Sequence, residues 1–265
     1  MRKRAIGVAC VVLLCVVVCL SILQLRSVLA ARTPRTARTP KQTMPLLGDP
    51  APTFKAPSTK GPVNFPADYK GKWVVFFAHP EDFTPVCTTE IFAFASVTDK
   101  FKALNAELVG LSVNELADHR RWVKRIEAKV ELKGVKNVTI TFPIIADPEM
   151  RVARLYGMVH PEWANRQTSR AVFIVDPAGS VRAMLYYPGT TGRNVAEVLR
   201  ILTGLQRFDK HGVKTPANWQ PGDDVIIPVP EGAYSNDALR RPIKPVGEGY
   251  RCLDWYLCLG KDPGK

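Results

Sequence analysis

The chain is poor in the residues that hold metals and cofactors. Only four histidines occur in 265 residues, His79, His119, His160 and His211, and no two stand at a spacing that pairs ligands. The sequence therefore predicts no metal site. With no Gly-rich phosphate loop it predicts no bound nucleotide or other cofactor either. A Gly-x-Ser-x-Gly nucleophile elbow is also missing, which sets aside serine hydrolysis on that motif. Acidic residues are absent from the whole N-terminal stretch, Asp49 being the first.

That one-sided beginning explains the net charge. Arg2, Lys3, Arg4, Arg26, Arg32, Arg35, Arg38 and Lys41 all precede Asp49, and removing them takes the formal charge from +13 to +5. A basic globular face for nucleic acid is thus not expected, whereas attraction of the N-terminus to anionic headgroups is. Residues 5–25 carry no charge, follow Met1-Arg-Lys-Arg4, and are long enough to cross a bilayer as a helix. The segment reads either as a signal peptide cut after Ala30 or as an uncleaved anchor, and the length of the apolar run favours the anchor. Positive charge flanks it on both sides. Because export machinery reads an N-terminal apolar segment with a basic start, the expectation is a membrane-tethered or exported protein with an extracytoplasmic domain.

Cysteine is scarce in the remainder. Cys10, Cys15 and Cys19 belong to the apolar segment, which leaves Cys87, Cys252 and Cys258, too few and too widely spaced for a disulfide framework. They point to redox chemistry instead. With 46% hydrophobic residues the chain can bury one good-sized core with appendages. The expected organisation is a membrane segment over 1–30, a basic Pro/Thr-rich tether over 31–45, a catalytic domain over 46–208, and a Pro-rich C-terminal extension over 209–265.

Within the catalytic region, strand-like runs alternate with amphipathic ones: Trp73 to Ala78 then Thr88 to Leu104, Glu107 to Val113 then Glu115 to Val130, Pro143 to Ala146 then Glu149 to Tyr156. Ala171 to Val175 and Val181 to Tyr187 follow, joined by the turn sequence Asp176-Pro-Ala-Gly179, and then Arg193 to Phe208. The pattern predicts an α/β fold of thioredoxin-like order, with a central mixed sheet flanked by helices. Arg120, Arg121, Lys124, Arg125 and Lys129 lie opposite a Leu116, Trp122, Val123, Ile126, Val130 stripe, as on a solvated helix over a core.

The chemistry-bearing segment is His79 to Glu90, HPEDFTPVCTTE. Thr84 suits an N-cap and Pro85 the first helical position, so Cys87 falls in the first turn among unpaired backbone N–H groups. That position favours the thiolate, the nucleophilic form. Position alone does not separate a nucleophile from a structural cysteine at a helix start.

The segment closely resembles the active-site signature of the peroxiredoxins, Pro-x-x-x-Thr-x-x-Cys, with Pro80, Thr84 and Cys87 in its fixed places. The resemblance runs from about Leu46 to Leu259, through Phe142-Pro-Ile-Ile-Ala-Asp147, Thr190-Thr-Gly-Arg-Asn194 and Thr215-Pro-Ala-Asn-Trp219, and is to the one-cysteine type with a long C-terminal domain. It implies that Cys87 attacks a hydroperoxide, that Thr84 positions the peroxide and Pro80 shields the thiolate, and that Arg170 steadies the charge on the leaving oxygen. It further implies that Glu90 orients the arginine network and that His79 and Arg193 line the pocket.

The tail Arg251-Cys-Leu-Asp-Trp-Tyr-Leu-Cys258 resembles that of archaeal and bacterial members carrying resolving cysteines. Cys252 or Cys258 of a partner subunit would condense with the Cys87 sulfenic acid, and a thioredoxin-like or small-thiol reductant would open the disulfide. Their separation is too long for a redox Cys-x-x-Cys pair. The implied assembly is a homodimer or a ring of dimers. A redox-sensing or chaperone-type protein, in which Cys87 oxidation controls assembly, is the other class that the sequence leaves open. The lipid hydrolysis ascribed to some animal relatives is not implied, because Lys72 stands where they have serine.

Overall fold

The computed structural model describes residues 44–159, 167–228, 249–254 and 256–264. The predicted membrane segment and nearly all of the tether lie outside the described residues, and among those described no helix is long and apolar enough to cross a membrane.

The core follows from a central strand that is apolar at every position. The central strand β3 (Trp73–Ala78) is buried along its whole length. Successive side chains of a strand point to opposite faces. Trp73, Val75 and Phe77 accordingly join one hydrophobic cluster, and Val74, Phe76 and Ala78 join another. Strands β4 (Ala106–Ser112) and β5 (Ile144–Ala146) lie parallel to it on one side. On its other side β6 (Arg170–Val175) and β7 (Val181–Tyr187) run antiparallel. The order β5-β4-β3-β6-β7 is the mixed sheet that the sequence predicted. The β6–β7 hairpin turns at Gly179, whose φ of +91° suits glycine.

Five helices complete the described fold: α1 (Pro85–Ser96), α2 (Thr98–Ala103), α3 (Leu116–Lys129), α4 (Arg151–Leu155) and α5 (Val195–His211). Ile91 and Phe94 of α1, Trp122 and Ile126 of α3, and Val198 and Leu202 of α5 fill one face of the sheet. On the other face, Val152 of α4 and Tyr156 pack with Phe65 of the β1 (Phe54–Ala56) and β2 (Val63–Phe65) hairpin. The sequence predicts one helix from Thr88 to Leu104; the structure breaks it at Val97, whose φ of −124° is not helical. On α3 the basic residues Arg120, Arg121, Lys124 and Arg125 are exposed, and Trp122, Val123 and Ile126 are buried.

The C-terminal region holds more regular structure than its composition suggests. Strands β8 (Val225–Ile227), β9 (Tyr250–Asp254) and β10 (Leu257–Gly260) form a separate antiparallel sheet with β10 in the middle. Val213, Trp219 and Val225 make a small core beside it. Gly260 faces Tyr250 in the register, and a Cβ there would lie 2.8 Å from the Tyr250 ring. Only glycine leaves space for that ring. Beyond β10, the buried Asp262 accepts from Arg207 Nε on α5 (2.8 Å) and from the Gly222 amide (3.0 Å), which ties the chain end to the body.

Candidate active site

The end of β3 delivers the chain into the loop that carries the predicted nucleophile. His79 and Pro80 are buried at the head of this loop, and Thr84 has the extended backbone of an N-cap. Its hydroxyl does not cap the helix as expected: it donates to the Glu81 carbonyl (2.9 Å). The Thr84 carbonyl accepts from the Thr88 amide (3.0 Å) and hydroxyl (2.8 Å), which fixes the first turn from the other side. Phe83, at φ +57°, makes the sharp bend before the helix. Cys87 is then the third residue of α1, fully buried and free.

Arg170, the first residue of β6, reaches across the sheet to this turn. Its Nη1 donates to Cys87 Sγ (3.3 Å) and to Glu90 Oε2 (2.6 Å), while Nε and Nη2 donate to the Gly189 carbonyl (3.2 and 2.9 Å). A planar guanidinium held at both ends is a fixed donor. Glu90 lies one turn along α1 from Cys87, and Arg193 closes on it with three bonds: backbone N and Nε to Oε1 (2.8 Å each) and Nη2 to Oε2 (2.7 Å). Arg193 Nη1 donates to the carbonyls of Ala78 and Ala171, and its guanidinium carbon lies 5.1 Å from the Phe77 ring centre. Arg193 is therefore a buried brace between β3, β6 and α1.

Charge makes this cluster one-sided. Burial alone would push the Glu90 carboxyl up, but Arg193 and then Arg170 outweigh it and hold the group below its usual value. Two guanidinium cations against one carboxylate leave one positive charge in a buried space. A thiolate at Cys87 brings the group to neutrality, which is the condition a buried ionic cluster needs.

The expectation for His79 also changes. It is fully buried, with Nε2 2.8 Å from Asp82 Oδ1, and Asp82 Oδ2 lies 2.5 Å from His119 Nδ1 on α3. His119 Nε2 donates to the Ile145 carbonyl (3.1 Å), and the Asp82 amide donates to Asn114 Oδ1 (2.9 Å). His79 is thus part of a polar tie between the loop and α3. Burial holds the His79 imidazole below its ordinary pKa against the pull of Asp82, and His119 and Arg193 add to the lowering. For Asp82, burial is again the largest influence and acts upward, yet hydrogen bonds from both imidazoles bring the carboxyl down.

Spacing along the chain did not foretell this trio, because His79 and His119 come from different elements. By donor type the three could ligate a cation. Their ring and carboxylate atoms are instead engaged with one another or, for His119 Nε2, with the Ile145 carbonyl, apart from His79 Nδ1, which has no partner among the described residues.

The tail cysteines depart furthest from expectation. The sequence offers Cys252 and Cys258 as two candidate partners for Cys87, too far apart for a redox Cys-x-x-Cys pair. In the structure they are joined by a disulfide. Adjacent antiparallel strands place them opposite one another, Cys258 of β10 facing Cys252 of β9, so a separation of six residues becomes a Cα distance of 3.9 Å. The missing signal was the hairpin, since no Asn-Gly or Asp-Gly pair marks a turn between the two strands.

Comparison with known proteins agrees with this geometry. Residues 47–184 match the model of the AhpC/TSA family, and residues 204–233 match that of the C-terminal domain of 1-Cys peroxiredoxin. The chain is 53% identical over 222 residues to a peroxiredoxin of Methanosarcina mazei, covering 84% of this chain and 100% of the relative. It is 48% identical over 229 residues to one of Aquifex aeolicus, covering 83% of this chain and 98% of the relative. Among solved structures, a yeast mitochondrial 1-Cys peroxiredoxin superposes with a TM-score of 0.69 at 40% identity, covering 82% of this chain and 100% of that one. Peroxiredoxin 6 of Arenicola marina superposes with a TM-score of 0.68 at 36% identity, covering 83% and 99%.

Proposed function

This chain belongs to the peroxiredoxin family and is a thiol-dependent peroxidase, and we propose that Cys87 is its nucleophile, resolved by a tail cysteine of a partner subunit. The thiolate attacks the terminal oxygen of ROOH, forming an S–O bond as the O–O bond breaks. Cys87 becomes a sulfenic acid, and RO⁻ takes a proton from solvent to leave as ROH. The observation that carries this reading is Arg170 Nη1, which donates to Cys87 Sγ and to Glu90 at once. Such a donor stabilises the thiolate before attack and the charge developing on the departing oxygen during it.

In this reading Thr84 positions the peroxide and Pro80 keeps water from the sulfur, while Glu90 and Arg193 act as positioning residues for Arg170. His79 holds the loop through Asp82. A thiol of the tail, Cys252 or Cys258 in its reduced form, then displaces water from the sulfenic sulfur, and an external thiol supplies the two electrons that complete the cycle. Resolution across subunits makes a homodimer the smallest working unit. The charge-free segment over residues 5–25, with basic residues at both ends, supports a membrane tether with the domain on the extracytoplasmic side.

Hydroperoxide consumption with a thiol reductant, measured for the wild type and for Arg170→Met, tests the site: a variant as fast as the wild type excludes the role given to Arg170. Protease accessibility of the domain in sealed vesicles tests the tether, and full protection from outside in right-side-out vesicles contradicts it.

A further inference from the structure

Electrons must enter this enzyme from outside, yet its nucleophile is closed off. Thiol–disulfide exchange needs an incoming sulfur in contact with the sulfur it attacks. Cys87 Sγ has no exposed surface in this structure and lies behind Arg170. The tail disulfide is placed differently. Cys258, on the middle strand β10, is 5% exposed, whereas Cys252 on β9 is only half-buried between the exposed Arg251 and Leu253. The hairpin is firmly mounted through the β8–β10 pairing and the Asp262–Arg207 contact. A single chain thus holds a free nucleophile together with an oxidised pair elsewhere.

We propose that the Cys252–Cys258 disulfide is the port at which a dithiol protein reductant delivers electrons, and that the reductant does not touch Cys87. The proposal rests on the sulfenic-acid reading of Cys87. One reductant thiolate attacks Cys252 Sγ and expels Cys258 as a thiolate, which takes a proton. The second reductant thiol attacks the mixed disulfide, frees Cys252 and leaves the reductant as a disulfide.

One reduced tail thiol then condenses with the Cys87 sulfenic acid of a partner subunit, forming an S–S bond and releasing water. The other tail thiol attacks the tail sulfur of that bond, reforms Cys252–Cys258 and expels Cys87 as a thiolate. Arg170 and the first turn of α1 stabilise that leaving group, and a stabilised thiolate leaves faster, which sets the direction of the exchange. The sum is ROOH plus a dithiol giving ROH, water and the oxidised reductant.

The full chain in detergent, reduced and freed of reductant, is given one equivalent of hydrogen peroxide, blocked with an alkylating agent and mapped by mass spectrometry. The expected product carries Cys252–Cys258 with alkylated Cys87. Cys252→Ser and Cys258→Ser each stop at a disulfide between Cys87 and the remaining tail cysteine of another chain. A thioredoxin whose second active-site thiol is replaced by serine should be trapped on Cys252. Wild-type protein ending in a lasting Cys87–tail disulfide, or that thioredoxin trapped on Cys87, overturns the relay. The Cys252→Ser/Cys258→Ser double variant separates this from failure of the underlying reading: a dimedone adduct on Cys87 after peroxide shows that the sulfenic acid forms whether or not the relay exists.

Discussion

Arg170 Nη1 lies 3.3 Å from Cys87 Sγ and 2.6 Å from Glu90 Oε2, so one guanidinium nitrogen connects the nucleophile to the carboxylate that holds the arginine in place. Reactivity and stability therefore depend on the same three side chains but are removed by different substitutions.

Arg170→Met takes away the donor while Glu90 keeps its bonds to Arg193. The rate of Cys87 oxidation by peroxide, followed by stopped-flow fluorescence, should fall by about 10²–10³-fold, the loss typical of a fixed oxyanion donor. Arg170→Lys restores the charge without the fork that grips Gly189 and should recover only part of it.

Glu90→Gln leaves two buried guanidinium groups without their carboxylate. Breaking a buried ion pair from one side costs about 3–5 kcal/mol. Urea unfolding should show a loss of that size, and a loss well under 1 kcal/mol would mean that the cluster is far better hydrated than its burial indicates.

Acid should destabilise the fold in two stages. His79 has a lowered folded pKa, so the unfolded chain binds a proton there first, and its contribution begins to be lost as pH falls through the ordinary value of 6.5. Glu90 and Asp82 are also depressed, so their stabilisation is complete above their ordinary values of 4.5 and 3.8 and is lost as pH falls from those values towards the folded ones. Thermal unfolding from pH 8 to pH 3 should show both losses. Asp82→Asn should remove its own share of the second stage.

Residue chemistry was legible wherever local pattern controls it. The all-apolar Trp73–Ala78 run predicted a strand, and Thr84-Pro85 predicted the start of the helix that carries Cys87. Arg170 and Glu90 were placed by family resemblance, and the structure joins Arg170 to the sulfur and Glu90 to Arg170. What the sequence did not disclose depends on contacts distant along the chain. Arg193 became a brace because Ala78, Ala171 and Glu90 converge on it, and Asp82 and His119 meet across two elements. The tail pair was missed because opposed strand register, not sequence distance, brings Cys252 to Cys258.

Gly260→Val puts a branched side chain where a Cβ alone would lie 2.8 Å from the Tyr250 ring and 2.9 Å from Ile227. The β9–β10 hairpin should exchange its amide hydrogens faster, with those of β3 and β6 unchanged, as hydrogen-exchange mass spectrometry would show. Cys87 is remote in sequence from this change and should still react with peroxide at the wild-type rate.

The most direct test is a single turnover of Cys87 itself. Wild-type protein, the Cys252→Ser/Cys258→Ser double variant and Cys87→Ser, all reduced, are mixed with one equivalent of hydrogen peroxide, and residual peroxide is measured alongside dimedone labelling. The wild type should consume the equivalent, the double variant should do so and keep a dimedone adduct at Cys87, and Cys87→Ser should leave the peroxide intact. Consumption by Cys87→Ser at the wild-type rate would contradict the assignment of Cys87 as the nucleophile.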